Sequence, residues 1–252
     1  MAPPQVTVVV PVLNEEAFLE DTLCSLRAQT FADFELLVVD NGSTDRSPEV
    51  ARRWADRVLV AERRGYAWAV HRGVEAASGG LVVSADADTL YPRRWLATMV
   101  RELARPSVVA VFGTIAFREG GRAGRVCSAL GYASLVGVSR LFGVYQVGGA
   151  NLGMRREAYL RVGGYPPVAH LAGPDLRLVR RLAHEGRVKY VPWLVCYTSN
   201  RRFAGRRAFP AASGAVRAWW EVAAGRTELR WDRAWGGGGS AHRPPGPRRA
   251  KR

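Results

Sequence analysis

The chain has 252 residues, 48% of them hydrophobic, which is enough for one large core around a single sheet. Its formal net charge is +15, and Lys189 and Lys251 are its only lysines, so the excess is arginine. That bias is either a codon-composition effect or a surface suited to anionic partners such as a nucleotide sugar, an anionic lipid or nucleic acid.

Val6 to Val12 is a β-branched run broken by Pro11 and followed by Asn14-Glu15-Glu16. Leu19, Leu23 and Leu26 then recur at helical spacing through Gln29, so the opening reads as strand, loop, helix. A second apolar run, Phe34 to Val39, ends at Asp40, and Asn41-Gly42-Ser43-Thr44-Asp45 follows as a turn and helix cap. A third, Leu81 to Val83, runs into Ser84-Ala85-Asp86-Ala87-Asp88. Strands alternating with helices imply a parallel sheet, whose ligands bind at the carboxyl ends of strands. Asn14, Asp40 and the pair Asp86/Asp88 all fall at such ends. Two carboxylates spaced i, i+2 there can converge on one hard divalent cation, Mg²⁺ or Mn²⁺, which bridges protein to substrate phosphates.

Further on, Val108 to Ala116 reads as a strand, and Gly120-Gly121 breaks the chain before an apolar helical stretch from Arg125 to Phe142. Residues 206–225 look like a helix containing Trp219 and Trp220. From Gly236 the chain is rich in Gly, Pro and Arg, with five basic residues and no acid, and reads as a disordered tail or a linker.

The segment VTVVVPVLNEEAFLEDTLCSLRAQTFADFELLVVDNGSTD resembles the opening of family 2 glycosyltransferases, which have the GT-A fold: an α/β fold with a central, mostly parallel sheet flanked by helices. The D-x-D pair, Gly148-Gly149-Ala150-Asn151-Leu152-Gly153-Met154-Arg155-Arg156 with Gly163-Gly164-Tyr165, and Gly173-Pro174-Asp175-Leu176-Arg177-Leu178 continue the resemblance in order, over roughly residues 5–203. It implies an inverting, non-processive transfer of a sugar from a UDP-, GDP- or dTDP-linked donor to an acceptor hydroxyl, lipid-linked or polysaccharide, assisted by Mg²⁺ or Mn²⁺. The absence of a Gln-x-x-Arg-Trp signature argues against a polymerising enzyme.

The same resemblance distributes roles. Pro11, Val12, Asn14, Glu15, Asp40, Gly65, Asp86 and Ala87 would hold the donor, Asp86 and Asp88 the metal, and Gly149, Ala150 and Asn151 the acceptor. Asp175 would be the base. Arg201 and Arg202, in Thr198-Ser199-Asn200-Arg201-Arg202 after a strand, offer guanidinium forks for phosphate, or else form a solvated charge run. Alternatives stay open for single residues: Asp40 as cap of the Ser43–Asp45 turn, Asp175 as a helix cap beside Pro174, and Glu157 or His170 as base in its place. Two departures stand out. Pro174 occupies the usual place of Glu before the catalytic Asp, which leaves the support of Asp175 open. Ala69-Val70-His71 stands where many members carry Ala-Arg-Asn, which leaves base recognition on that helix open.

The expected organisation is a nucleotide-sugar half over 1–110, an acceptor half of the same domain over 111–203, a helical segment over 204–235 and a basic tail over 236–252. Cys24, Cys127 and Cys196 suit neither a disulfide framework nor zinc. His71, His170 and His184 lack a second ligand at i+3 or i+4. No signal peptide is apparent, and Val126 to Ser139 is shorter than the ~20 residues that span a bilayer. A cytoplasmic protein is expected, with Val126 to Phe142 either buried in the acceptor half or resting peripherally on the inner face of the cell membrane. A sugar-nucleotide pyrophosphorylase lacks its Gly-rich phosphate loop here. A basic nucleic-acid-binding protein lacks a basic-aromatic motif, so no specific nucleic acid is expected. A GT-A-like protein that binds with little or no turnover, or a basic nucleic-acid-binding protein that the charge would fit, stays open as an alternative.

Overall fold

The computed structural model describes residues 2–165, 173–201 and 208–224. Its first three strands, β1 (Val6–Val12), β2 (Phe34–Asp40) and β3 (Arg57–Val60), are parallel and alternate with helices α1 (Glu16–Arg27) and α2 (Ser47–Trp54). Helix α3 (Tyr66–Ala76) then leads to β4 (Leu81–Ser84), which pairs parallel with the other side of β1. Buried Val, Leu and Ile-like runs on β1 and β2 cover both faces, as expected of strands sandwiched between helical layers. Pro11 does not end β1. Val9 accepts from the Ala85 N–H on the β4 side, and β4 pairs only as far as Ser84. By strand alternation the missing N–H of Pro11 points to that same side, where no partner strand remains.

The rest of the sheet is mixed. A two-residue strand, β5 (Thr89–Leu90), precedes α4 (Trp95–Leu103), and β6 (Val108–Phe117) crosses the residue at which the two halves were expected to divide. After α5 (Gly121–Leu141) and a 3₁₀ turn (Gly149–Asn151), β7 (Leu152–Arg155) inserts antiparallel between β4 and β6. Helices α6 (Arg156–Arg161) and α7 (Pro174–Leu182) lead to β8 (Arg187–Thr198), and α8 (Ala208–Ala223) packs on α7. The strand order is β3-β2-β1-β4-β7-β6-β8-β5. Four of the neighbouring pairs are parallel and three antiparallel, in keeping with the expected mostly parallel α/β sheet. One apolar cluster lies on each face of it, anchored by Leu19, Leu23 and Trp95 on one side and by Tyr159, Tyr165 and Leu178 on the other.

Helix α5 begins at Gly121, four residues before the expected start and directly after Gly120, which takes the left-handed conformation that glycine tolerates. It is not a core helix. Only Val136 and Ser139 on it are buried, and Val126, Leu130, Val138 and Leu141 are more than half exposed. Among the described residues no helix is long and apolar enough to cross a membrane. The expectations for 236–252, for Arg202 and for His170 lie outside the described residues.

Candidate active site

The loops that follow β1, β2 and β4 meet in a cleft of about 230 Å³ lined by Pro11, Val12, Glu15, Asn41, Gly65, Tyr66, Asp86, Ala87 and Asp88, among others. Six of the residues assigned to the donor therefore share one wall: Pro11, Val12, Glu15, Gly65, Asp86 and Ala87. Asn14 and Asp40 do not line it. Asn14 has a positive φ of 55°, and its Oδ1 accepts the Thr44 N–H at 2.8 Å, so it clamps the loop after β1 to the turn after β2. Asp40 is buried and accepts the Ser43 N–H at 3.1 Å, the turn-capping contact left open above. The adjacent Asn41, which sequence reasoning assigned only to the turn, faces the cleft and accepts the Gly65 N–H at 3.2 Å. Gly65 has φ 139°, a backbone that side-chain-bearing residues rarely adopt, and there it starts α3.

A second cavity, of about 770 Å³, opens beyond Asp86 and Asp88. Its wall includes Ile115, Phe117, Tyr132, Leu135, Gly149, Ala150 and Asp175. Tyr66, Asp86 and Asp88 line both cavities and so form the partition between them. The D-x-D loop is tied to the turn at Gly149–Asn151 by one tyrosine: the Asp86 N–H donates to Tyr91 Oη at 2.8 Å, and the Tyr91 hydroxyl donates to the Ala150 carbonyl at 3.0 Å.

Asp175 stands at the second position of α7, behind Gly173 and Pro174. Its carboxylate accepts the Gly149 N–H at 3.1 Å and the Tyr165 hydroxyl at 2.5 Å. These two donors supply the support that Pro174 cannot give. Burial, and then the negative charge of Asp175, push the Tyr165 phenol well above its ordinary pKa, and Tyr66 is raised by the same causes in the same order. Both stay protonated, and Tyr165 remains a donor to the carboxylate. Gly149 has no room for a side chain. A Cβ there would lie 1.8 Å from Tyr66 Oη and 3.0 Å from Asp175 Oδ1.

The three acceptor-side residues separate by role. Gly149 and Ala150 line the large cavity, whereas Asn151 is fully buried. Its amide nitrogen donates to the carbonyls of Thr114 and Leu194, and its oxygen accepts Trp95 Nε1–H at 2.8 Å. Leu194 sits in a bulge of β8 around Pro192, where the register against β6 jumps between Gly113 and Thr114. Asn151 satisfies a carbonyl that this bulge leaves without a ladder partner. Glu157 is on α6, paired with Arg161, and does not line the cavity. His71 is directed to Tyr159 Oη at 3.0 Å and is held below its ordinary pKa by burial.

Arg201 follows β8 and reaches back across the fold. Its guanidinium pairs with Glu15, lies 3.0 Å from Asp88 Oδ2 and sits 4.8 Å from the Phe18 ring centre. Burial opposes its charge, but Glu15 and Asp88 outweigh that and raise its pKa. The residues that could hold a cation at the partition are two carboxylates, Asp86 and Asp88. Among the described residues no cluster of three His, Cys, Asp or Glu could hold a metal ion. That set fits a hard cation whose remaining oxygens come from phosphate and water, and does not fit a cation held by protein alone.

The model of glycosyl transferase family 2 matches residues 7–163. An uncharacterized glycosyltransferase of Mycobacterium tuberculosis is 44% identical over 103 residues, 41% of this chain and 45% of the relative. Glycosyltransferase AglE of Haloferax volcanii is 31% identical over 122 residues, 45% of this chain and 40% of the relative. Each alignment thus spans less than half of the relative's length. Among solved structures, the mannosyltransferase PcManGT of Pyrobaculum calidifontis, in complex with GDP-Man and Mn²⁺, has TM-score 0.63 and 27% identity, covering 89% of this chain and 62% of that one. Glucosyl-3-phosphoglycerate synthase of M. tuberculosis shares the fold at 22% identity and TM-score 0.60, over 86% of this chain and 80% of that one. With more than half of its length matched by the family model and its sheet superposable on these structures, the chain belongs to glycosyl transferase family 2 and has the GT-A fold.

Proposed function

We propose that the protein transfers a sugar from a nucleotide-diphosphate donor to an acceptor hydroxyl. The observation that carries this reading is the partition: Asp86, Asp88 and Tyr66 divide a small cleft from a larger cavity, and Asp175 stands in the larger one. A donor whose nucleoside lies in the cleft would place its diphosphate at the partition and its sugar in the cavity. The relatives bound to GDP-Man and Mn²⁺, or to UDP-Glc and Mn²⁺, support this class of donor.

In this reading Pro11, Val12, Glu15, Asn41 and Gly65 hold the nucleoside, and Asp40 and Asn14 fix the loops that do so. Asp86 and Asp88 would hold Mg²⁺ or Mn²⁺, which would supply positive charge against the departing diphosphate. Arg201, and Arg202 beside it in sequence, add guanidinium charge to the phosphates. Asp175, aimed by Tyr165 and the Gly149 N–H, takes the acceptor's proton. The acceptor oxygen then bonds to the anomeric carbon as the bond to diphosphate breaks, with the electron pair leaving on the diphosphate. A single attack from the opposite face inverts the configuration. One transfer per encounter, a lipid-linked or polysaccharide acceptor, a cytoplasmic setting at the membrane surface, and the division into donor half 1–110 and acceptor half 111–203 belong to the same proposal. The test is a screen of UDP-, GDP- and dTDP-sugars with Mn²⁺ and with chelator, read by thermal stabilisation and by release of nucleoside diphosphate. Metal-dependent stabilisation with release is the expected result. Stabilisation without release, whatever the acceptor, would leave a binding protein, and the absence of both stabilisation and release would overturn the reading.

A further inference from the structure

Helix α5 holds to the body of the protein by one stripe. Ser128, Tyr132, Val136 and Ser139 face inward, and of these only Val136 and Ser139 are buried. At about 100° per residue, the opposite half of the helix carries Ala123, Val126, Cys127, Leu130, Ser134 and Val138, together with Leu141. No charged residue falls in that half-turn. Leu130 is 62% exposed and Leu141 84%, and Val126 and Val138 are also largely open to solvent. A contiguous uncharged face of this kind differs from the single apolar residues scattered over any soluble surface. Phe142, just past the helix, extends it: its ring meets Trp219 edge-on at 5.3 Å, and Trp219 meets the exposed Trp220 at 5.5 Å.

The charges beside this face have one sign. Helix α5 has no Asp or Glu, and Arg122 and Arg140 flank one edge of the apolar half, while Arg125 turns inward over the Tyr197 ring. A second copy docking by the same face would bring like arginines together with no acid to meet them. An anionic bilayer surface meets both features at once, burying the apolar arc and neutralising the arginines. The face is also continuous with the large cavity. Ser128, Gly131, Tyr132 and Leu135 of α5 line it, and Gly131 and Leu135 are at the same time exposed at the edge of the apolar arc.

We propose that the outer face of α5 docks on an anionic lipid bilayer, and that the acceptor hydroxyl enters the cavity past Leu135 on a lipid-linked molecule. The apolar stem would run along Ile115, Phe117 and Leu135 while the head group meets Asp175. The second clause rests on the transferase reading; the docking does not.

The experiment is co-flotation with vesicles of phosphatidylcholine containing a minority of phosphatidylglycerol, at low and high salt and without any donor. Flotation of the wild type at low salt, weakened by salt, is expected. Leu130→Asp combined with Val138→Asp should lower the bound fraction by roughly ten-fold or more while the circular dichroism and Mn²⁺-dependent nucleotide binding stay unchanged. Wild-type protein that stays wholly soluble with these vesicles overturns the proposal. So does unchanged flotation of the double variant, including the case in which only removal of residues 236–252 abolishes flotation. A wild-type dimer that the double variant converts to monomers, without vesicle binding, assigns the face to a second copy instead. A protein that floats but binds no nucleotide sugar refutes the transferase reading alone, and one that binds donor but never floats refutes the docking alone.

Discussion

On the donor side of Asp86 and Asp88, the cleft of 230 Å³ is framed by short loops whose polar groups hold one another: Asn14 to Thr44, Asp40 to Ser43, Asn41 to Gly65, Glu15 to Arg201. On the other side the cavity reaches 770 Å³, and Ile115, Phe117, Tyr132 and Leu135 face it together with the fixed carboxylate of Asp175. The first wall comes from strand ends laid side by side by the parallel sheet, so its geometry is set by the backbone. The second comes from a long helix held by one stripe and from a strand bent at a proline bulge, so its geometry is set by packing. The contrast teaches that a cleft set by strand ends and a roomier cavity set by side-chain packing can be built on one sheet, because the two use different structural means.

The sharpest way to break this comparison is at the partition. Asp88→Ala should abolish turnover, by roughly 10³-fold or more, and remove Mn²⁺-dependent donor binding while the melting temperature holds. Calorimetric titration of donor with and without Mn²⁺ checks it, and full activity in excess chelator would refute cation assistance. On the acceptor side, Asp175→Asn should lower kcat by roughly 10²–10⁴ while donor affinity changes only a few-fold. Equal loss of donor binding and turnover would make Asp175 a structural group. Tyr165→Phe removes one donor that aims this carboxylate and should cost roughly ten-fold in kcat with little change in KM. An unaltered kcat would show that the Gly149 N–H suffices.

Arg201→Ala tests the donor wall in a different way. In the structure its guanidinium sits on Asp88, where a cation would compete with it. The variant should therefore bind Mn²⁺ alone several-fold more tightly and bind the nucleotide diphosphate more weakly. Tighter binding of both, or weaker binding of both, would remove Arg201 from the phosphates.

The smallest effect concerns stability behind the acceptor wall. Lys189 holds the Glu102 carboxylate below its ordinary value of 4.5, aided by Arg105 and Arg101 and opposed by burial. A depressed folded-state pKa stabilises the fold above the ordinary value, and that contribution is lost as pH falls through the folded value. Both arginines are exposed, so solvent screens the cluster, and Glu102→Gln should cost about 1 kcal/mol at neutral pH. Melting curves over the acid range should show the wild type losing its advantage over the variant as pH drops. A constant gap would mean that the packing of Glu102, and not its charge, matters.

Much of the donor wall was legible because its residues are consecutive with strand ends. A β-branched run that stops at a polar residue marks the carboxyl end of a strand, and the parallel sheet then brings such ends together. The shift from Asp40 to Asn41 was not legible. Neighbouring residues at a strand end point to opposite sides, and which one faces the cleft depends on the turn that follows. Tyr165 stood in a quoted segment but carried no chemical signal, since its partner Asp175 lies across a loop. Tyr66 gave none either; it matters because Gly149, far away in sequence, leaves space for its hydroxyl.

By itself, the sequence determined the alternation of strands and helices, the i, i+2 carboxylates and the position of Asp175 at a helix start, because all three are local patterns of hydrophobicity, spacing and capping. The tertiary structure alone decided what those groups touch. It inserted β7 antiparallel into a sheet begun in parallel, seated Arg201 on Glu15 and Asp88, and left one face of α5 in solvent instead of in the core. An apolar helix reads alike in sequence whether it is buried or exposed, for burial is a property of what packs against it and not of the helix itself.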